Sequence, residues 1–126
     1  MAMALGGCAG LPLACPAGQA GAREVRLVFG RNIAGQPGVS EADFRAFVDA
    51  ELTPRFPDGL TVIDAQGQWR GAAATPEREA SKMVLLVLAA KAAGADAKLE
   101  AVRAAYKARF RQESVMILSQ PVCAGF

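Results

Sequence analysis

An α+β fold, the ferredoxin-like βαββαβ plait, is predicted by three observations. Four segments carry strand patterning and two carry helical stripes, and in chain order they run β, α, β, β, α, β. The 126 residues leave room for one core but not for two. With 52% hydrophobic and 21% charged residues, the composition is that of a globular chain rather than a disordered one.

The first strand is read over Glu24–Arg31, where Val25, Leu27 and Phe29 alternate with Arg26 and Val28. The Gly- and Pro-punctuated stretch Gly30–Gly38 follows as a loop. Ser40 then offers an N-cap, and Glu41 and Asp43 favour the positive end of a helix. Phe44, Phe47, Val48 and Leu52 form its apolar stripe, and Pro54 and Pro57 end it. Leu60–Asp64 is the second strand, with the polar run Gln66–Gly71 expected to leave the sheet near its glycines. Lys82–Leu88 is apolar on both faces and therefore reads as a central strand. Asp96 is the expected cap of a second helix whose stripe is Leu99, Val102, Tyr106 and Phe110, and Ser114–Ser119 is the last strand.

In such a plait both helices cover one sheet face. The other face here would carry Val28 and alternate residues of the third and fourth strands, a larger apolar patch than a monomer usually exposes. Pairing of two copies through that face, as in dimeric α/β barrels, is the expected solution; the alternative is that residues 9–22 fold over it.

Residues 1–22 carry no charged side chain, whereas charges are frequent from Arg23 onward. The chain therefore divides into an export leader and flexible tether (1–22) and a domain (23–126). Within the leader, Leu5-Gly6-Gly7-Cys8 looks like a lipobox, where small residues enter a signal peptidase and the Cys8 thiol accepts lipid. Only seven uncharged residues precede Cys8, so an envelope location, lipid-anchored in the periplasm or outside the cytoplasm, requires a fuller signal peptide upstream; otherwise the protein is cytoplasmic. The anchor is the one expected contact with a membrane, because no run reaches the roughly 18 apolar residues of a span. Lipidation of Cys8 would leave Cys15 and Cys123 as an even pair, either bridged in an oxidising compartment or free as two small buried residues.

Several chemistries are excluded. The chain has no His, which removes His-based triads and His-ligated metal, and it has no Cys-x-x-Cys spacing, so no metal or cofactor is expected. A net charge of +2 gives no pull towards nucleic acid, and the third strand lacks the aromatic residues an RNA-recognition sheet uses for stacking. The loop Gly30–Gly38 lacks the Lys-Ser/Thr ending of a phosphate-binding loop.

Phe29-Gly30-Arg31, the block Thr53-Pro54-Arg55-Phe56-Pro57-Asp58-Gly59-Leu60-Thr61-Val62, and Gly67-Gln68-Trp69-Arg70 are a distinctive set. With Arg78-Glu79-x-Ser81-Lys82, Ala105-Tyr106-x-x-x-Phe110 and Gln112-Glu113-Ser114-Val115, they resemble the bacterial DUF3574 family from about residue 24 to 126. The resemblance implies a lipoprotein-type leader before the domain and a Cys near the C-terminal Phe, and it brings no activity with it.

Arg31, Arg55, Trp69, Arg70, Glu79, Ser81, Lys82, Tyr106, Gln112 and Glu113 are expected near strand or helix ends, where they would form a polar pocket with an aromatic wall. Arg31, Trp69, Arg70, Lys82 and Gln112 are the candidate ligand-binding residues. Glu79 is the candidate general base and Tyr106 its candidate catalytic companion, although an ion pair of Glu79 with Arg70 or Lys82 is the stronger expectation. The reading is of a small envelope protein that binds a ligand or protein partner, against a cofactor-independent monooxygenase- or isomerase-like enzyme with Glu79 as base.

Overall fold

A computed structural model describes residues 14–70 and 75–126. Cys8 and its lipobox lie outside the described residues. The elements are β1 (Ala20–Gly30), a small hairpin of β2 (Asn32–Ile33) and β3 (Gln36–Pro37), α1 (Glu41–Phe47), β4 (Thr61–Arg70), β5 (Pro76–Ala89), α2 (Ala95–Phe110) and β6 (Met116–Ala124). The four long strands form one sheet in the order β4-β5-β1-β6, and every neighbouring pair is antiparallel. It is an α+β fold with a four-stranded antiparallel sheet and two helices.

Alternation along the strands sorts their side chains onto two faces. Val25, Leu27 and Phe29 of β1, Val84 and Leu86 of β5 and Val115 before β6 are buried beneath the helices. Phe29 meets Phe44 and Phe47 of α1 at 5.5 and 5.8 Å and Tyr106 of α2 at 4.7 Å, so one aromatic cluster joins sheet and both helices. The opposite face carries Ile63, Met116 and Leu118, all exposed.

α1 begins as its sequence dictates. The Ser40 hydroxyl accepts from the Asp43 N–H at 3.0 Å, and the Asp43 carboxylate accepts from the Ser40 N–H at 3.1 Å, a complete capping box. The stripe to Leu52 does not stay α-helical: Val48–Leu52 form a π-turn, with the Thr53 N–H bonded to the Val48 carbonyl. That widening still buries Leu52.

Four further expectations are corrected. Gln66–Arg70 does not leave the sheet, because β4 pairs with β5 through Gly67↔Glu79 to Arg70↔Pro76. β5 accordingly starts at Pro76, six positions ahead of the expected Lys82. Gly94, at φ 71°, occupies the N-cap of α2, while Asp96 sits in its first turn and accepts from Arg23 at 2.6 Å. β1 starts at Ala20, inside the stretch read as leader. The loop Gly30–Gly38 also contains the β2–β3 hairpin, whose two-residue turn needs positive φ at both positions; Ala34 (φ 50°) and Gly35 (φ 77°) supply it.

Cys15 and Cys123 form a disulfide, which ties the segment before β1 to the end of β6.

Candidate ligand-binding cleft

The end of β5 nearest Pro76 places Glu79 on the sheet face away from the helices, between Gly67 of β4 and Gly30 of β1. The carboxylate lies directly over Gly30: a Cβ there would stand 2.7 Å from Glu79 Oε1 and 2.9 Å from Oε2. Glycine at position 30 thus gives the Glu79 carboxylate its place by leaving out a Cβ, and not through any special backbone conformation. Two neutral donors hold the group, the Asn32 backbone N–H to Oε2 at 3.0 Å and the Trp69 indole N–H to Oε1 at 3.1 Å. A carboxylate has about four acceptor positions, so these two bonds leave capacity facing the solvent.

Around this carboxylate is a cleft of about 640 Å³, within the usual size range of small-molecule sites. Its floor is Val28, Gly30 and Ser81 of the sheet. One wall is the Asn32–Gly35 hairpin, another the β4–β5 arm with Trp69 and Glu77, and the third the segment Arg111–Ser114 after α2. Trp69 is 44% exposed there, an unusual position for a large aromatic ring in a chain with one tryptophan. Gln112 fixes the third wall to the first, donating from Nε2 to the Asn32 carbonyl at 2.6 Å. Asn32 thus gives its N–H to Glu79 and its carbonyl to Gln112.

Of the candidate residues, Glu79, Trp69, Gln112, Ser81 and Glu113 come together at this cleft. The rest do not, and for Lys82 strand parity is the reason. Residue 79 and residue 82 differ by an odd number, so Lys82 points to the helix face while Glu79 points away. Neither it nor Arg70 pairs with Glu79, and the expected ion pair is absent among the described residues. Lys82 is 5% exposed and instead bonds Glu41 at 2.6 Å and Asp64. Hydrogen bonds from Asp64 and Glu41 raise the Lys82 pKa, and the same contacts hold both carboxyls below their ordinary range.

Arg31 belongs to that same group: it donates to the Val39 carbonyl at 2.9 Å and to Glu41 at 2.7 Å. Arg70 ends β4 opposite Pro76 and does not line the cleft. Arg55 pairs with Glu51 one helical turn before it. Tyr106 is fully buried, and its hydroxyl donates to the Gly30 carbonyl at 2.7 Å. Burial drives the phenol pKa well upward, so it is a fixed donor beneath the sheet and not a proton carrier in the cleft. It contributes indirectly, pinning from below the glycine on which Glu79 rests.

Asn32, Glu77 and Arg111 line the cleft without having been singled out. The one available signal was the alternation Glu77-Arg78-Glu79-Ala80, which extends the period of the apolar strand back through charged residues. Among the described residues no three or more acidic or Cys side chains are grouped to hold a metal ion.

The cleft has the concavity, aromatic wall and pre-positioned carboxylate of a site that binds a small molecule. Comparison with curated proteins returns no match. Among solved structures, a phage SAM lyase in complex with S-methyl-5'-thioadenosine is similar, with a TM-score of 0.64 at 15% identity over 93% of this chain and 97% of that one. The apo form of a phage SAM lyase gives 0.61 at 18% identity, over 84% and 90% of the two chains. CPII bound to ADP, AMP and acetate, from Thiomonas intermedia K12, gives 0.51 at 14% identity, over 86% and 92%. At these identities the likeness is one of fold. Residues 24–126 match the family described as protein of unknown function (DUF3574), and the chain belongs to that family.

Proposed function

We propose that this domain binds a small organic molecule in the cleft, with Glu79 as the anchoring acceptor and Trp69 as the wall. The observation that carries this reading is the state of Glu79. Its carboxylate is held by two neutral N–H donors, sits over a glycine that leaves room for it, and has no cationic partner among the described residues. With only those two neutral donors bound, the remaining acceptor positions of Glu79 are available to whatever enters.

Adenine nucleosides and nucleotides are the first ligands to try, because the similar structures hold S-methyl-5'-thioadenosine in one case and ADP with AMP in the other. The finer architecture we assign is the ferredoxin-like plait, paired through its open face as in dimeric α/β barrels. The exposed Ile63, Val87, Met116 and Leu118 on that face support the pairing. The Cys15–Cys123 bridge supports an oxidising envelope location reached through a lipidated Cys8.

The test is a thermal-shift titration with S-methyl-5'-thioadenosine, AMP and ADP, read in parallel by the fluorescence of the single tryptophan. A ligand at a hundred times its Kd stabilises by about 2.7 kcal/mol. At least one of the three should raise the melting temperature and change Trp69 emission, and Glu79→Gln should weaken that response about tenfold or more. Three flat titrations would remove the nucleoside assignment. A second reading, catalysis with Glu79 as general base, is favoured by the same lack of a cationic partner. It predicts that Glu79→Gln abolishes turnover of a bound ligand while leaving its binding measurable.

A further inference from the structure

Besides its shape, the cleft has a sign. Glu77, Glu79 and Glu113 line it against Arg111 alone, a formal excess of two negative charges on a chain whose net charge is +2. The acidity is therefore local to this concave surface. Carboxylates grouped in a cleft with low-dielectric walls concentrate positive solutes. Beside the innermost of them stands the half-exposed Trp69 ring, whose indole edge is committed to Glu79 and whose remaining surface lines the cleft. A carboxylate with spare acceptor capacity next to an indole ring is the pairing that holds organic cations, by Coulombic attraction on one side and by the ring quadrupole on the other.

Arg111 is the one cation in the lining, and no salt bridge joins it to Glu79 among the described residues. Lys82 and Arg31 are engaged on the opposite side of the sheet with Glu41, and Arg26, on the open face, is bonded to Glu24. A metal ion is a poorer occupant than an organic cation, because the neutral Asn32 and Trp69 donors beside Glu79 would face the metal with N–H groups, not with ligand atoms.

We propose that the cleft selects a small organic cation, an ammonium or sulfonium centre held by Glu79 and flanked by Trp69. The inference rests on the reading of this cleft as a ligand site and adds the charge of the ligand to it.

The experiment uses a matched pair of probes, choline and its uncharged isostere 3,3-dimethylbutan-1-ol, titrated into the full chain with Trp69 fluorescence as the readout. Choline should bind about tenfold more tightly, a difference of about 1.4 kcal/mol. The preference should shrink as salt is raised to about 0.5 M. Glu79→Gln should bring the two probes level, and Glu100→Gln, a carboxylate on the exposed side of α2, should leave the preference intact. The wild-type comparison decides the matter even if a variant fails to fold. Equal affinities, or no response to either probe, would overturn the cation assignment. The titration with S-methyl-5'-thioadenosine, the uncharged probe of the three adenine compounds, separates the two levels: if it still binds, the cleft remains a neutral-ligand site, and if none of the three binds, that reading is removed too.

Discussion

Replacing Cys123 by Ser opens the cross-link between Cys15 and Cys123, which are 108 positions apart in the chain. The native state depends on it little. Ala20 still pairs with Ala124 and Gly21 with residue 123, and the Gln19 N–H still reaches the Pro16 carbonyl. The effect therefore falls on the unfolded chain, which loses a closed loop of nearly its whole length. The chain-entropy relation for a loop of that size gives about 5 kcal/mol, and native disulfides usually contribute about 2–4 kcal/mol. For a domain of this size each kcal/mol moves the melting temperature by about 4 °C, so the expected fall is about 8–16 °C, with a ceiling near 20 °C. The assay is calorimetry of wild type and Cys123→Ser, each with and without reductant. Oxidised wild type should melt well above the other three samples, and those three should coincide. Urea titration adds a second signature, a larger m-value once the cross-link no longer compacts the unfolded chain. A wild type whose melting temperature does not respond to reductant would refute the reasoning, because the loop entropy is present whatever the native contacts are.

Two further outcomes are expected. Gly30→Ala puts a Cβ 2.7 Å from Glu79 Oε1, so the carboxylate must move off its Asn32 and Trp69 donors. Because the displaced atoms end a flexible side chain, stability should change by less than about 1 kcal/mol while ligand affinity falls about tenfold. Combining it with Glu79→Gln should add nothing in a double-mutant cycle read by Trp69 fluorescence. The Lys82 group makes stability depend on pH at both ends. Asp64 and Glu41 have pKa values lowered chiefly by the Lys82 hydrogen bond, so their contribution is present above their unfolded values and is lost as pH falls through the folded ones. Lys82 is raised by Asp64 and Glu41, so its contribution is complete below its unfolded value and is lost as pH rises through the folded one. Urea midpoints against pH should show a plateau with both limbs falling, and Lys82→Met should flatten both; an unchanged profile would count against the ion group.

Much of the fold was legible because it is written in local periodicity. The alternation Val25-x-Leu27-x-Phe29 and the two helical stripes mark the buried surface one residue at a time, and Ser40 with Asp43 marks a helix start within four positions. Two of the corrections, the length of β4 and the start of β5, share one cause. Glu77, Arg78 and Glu79 lie ahead of the apolar run that marks the strand in the sequence, yet the backbone continues the ladder through them, since pairing with β4 satisfies its N–H and C=O groups whatever the side chains are. Once β5 starts at Pro76, parity alone decides that Glu79 and Lys82 lie on opposite faces.

The site itself was legible only as a set of residue types. Asn32, the Trp69–Glu79 pair ten positions apart, and Gln112 come from three separate stretches of the chain, and nothing local relates one stretch to another. The amino-acid sequence by itself determined the α+β class, the order of the elements, the aromatic core and the absence of imidazole chemistry, because each follows from composition or short-range pattern. Only the tertiary structure decided which candidates share a cleft. Strand register set Glu79 opposite Gly67, the close approach over Gly30 aimed its carboxylate, and the sheet itself separates it from every cation it was expected to meet.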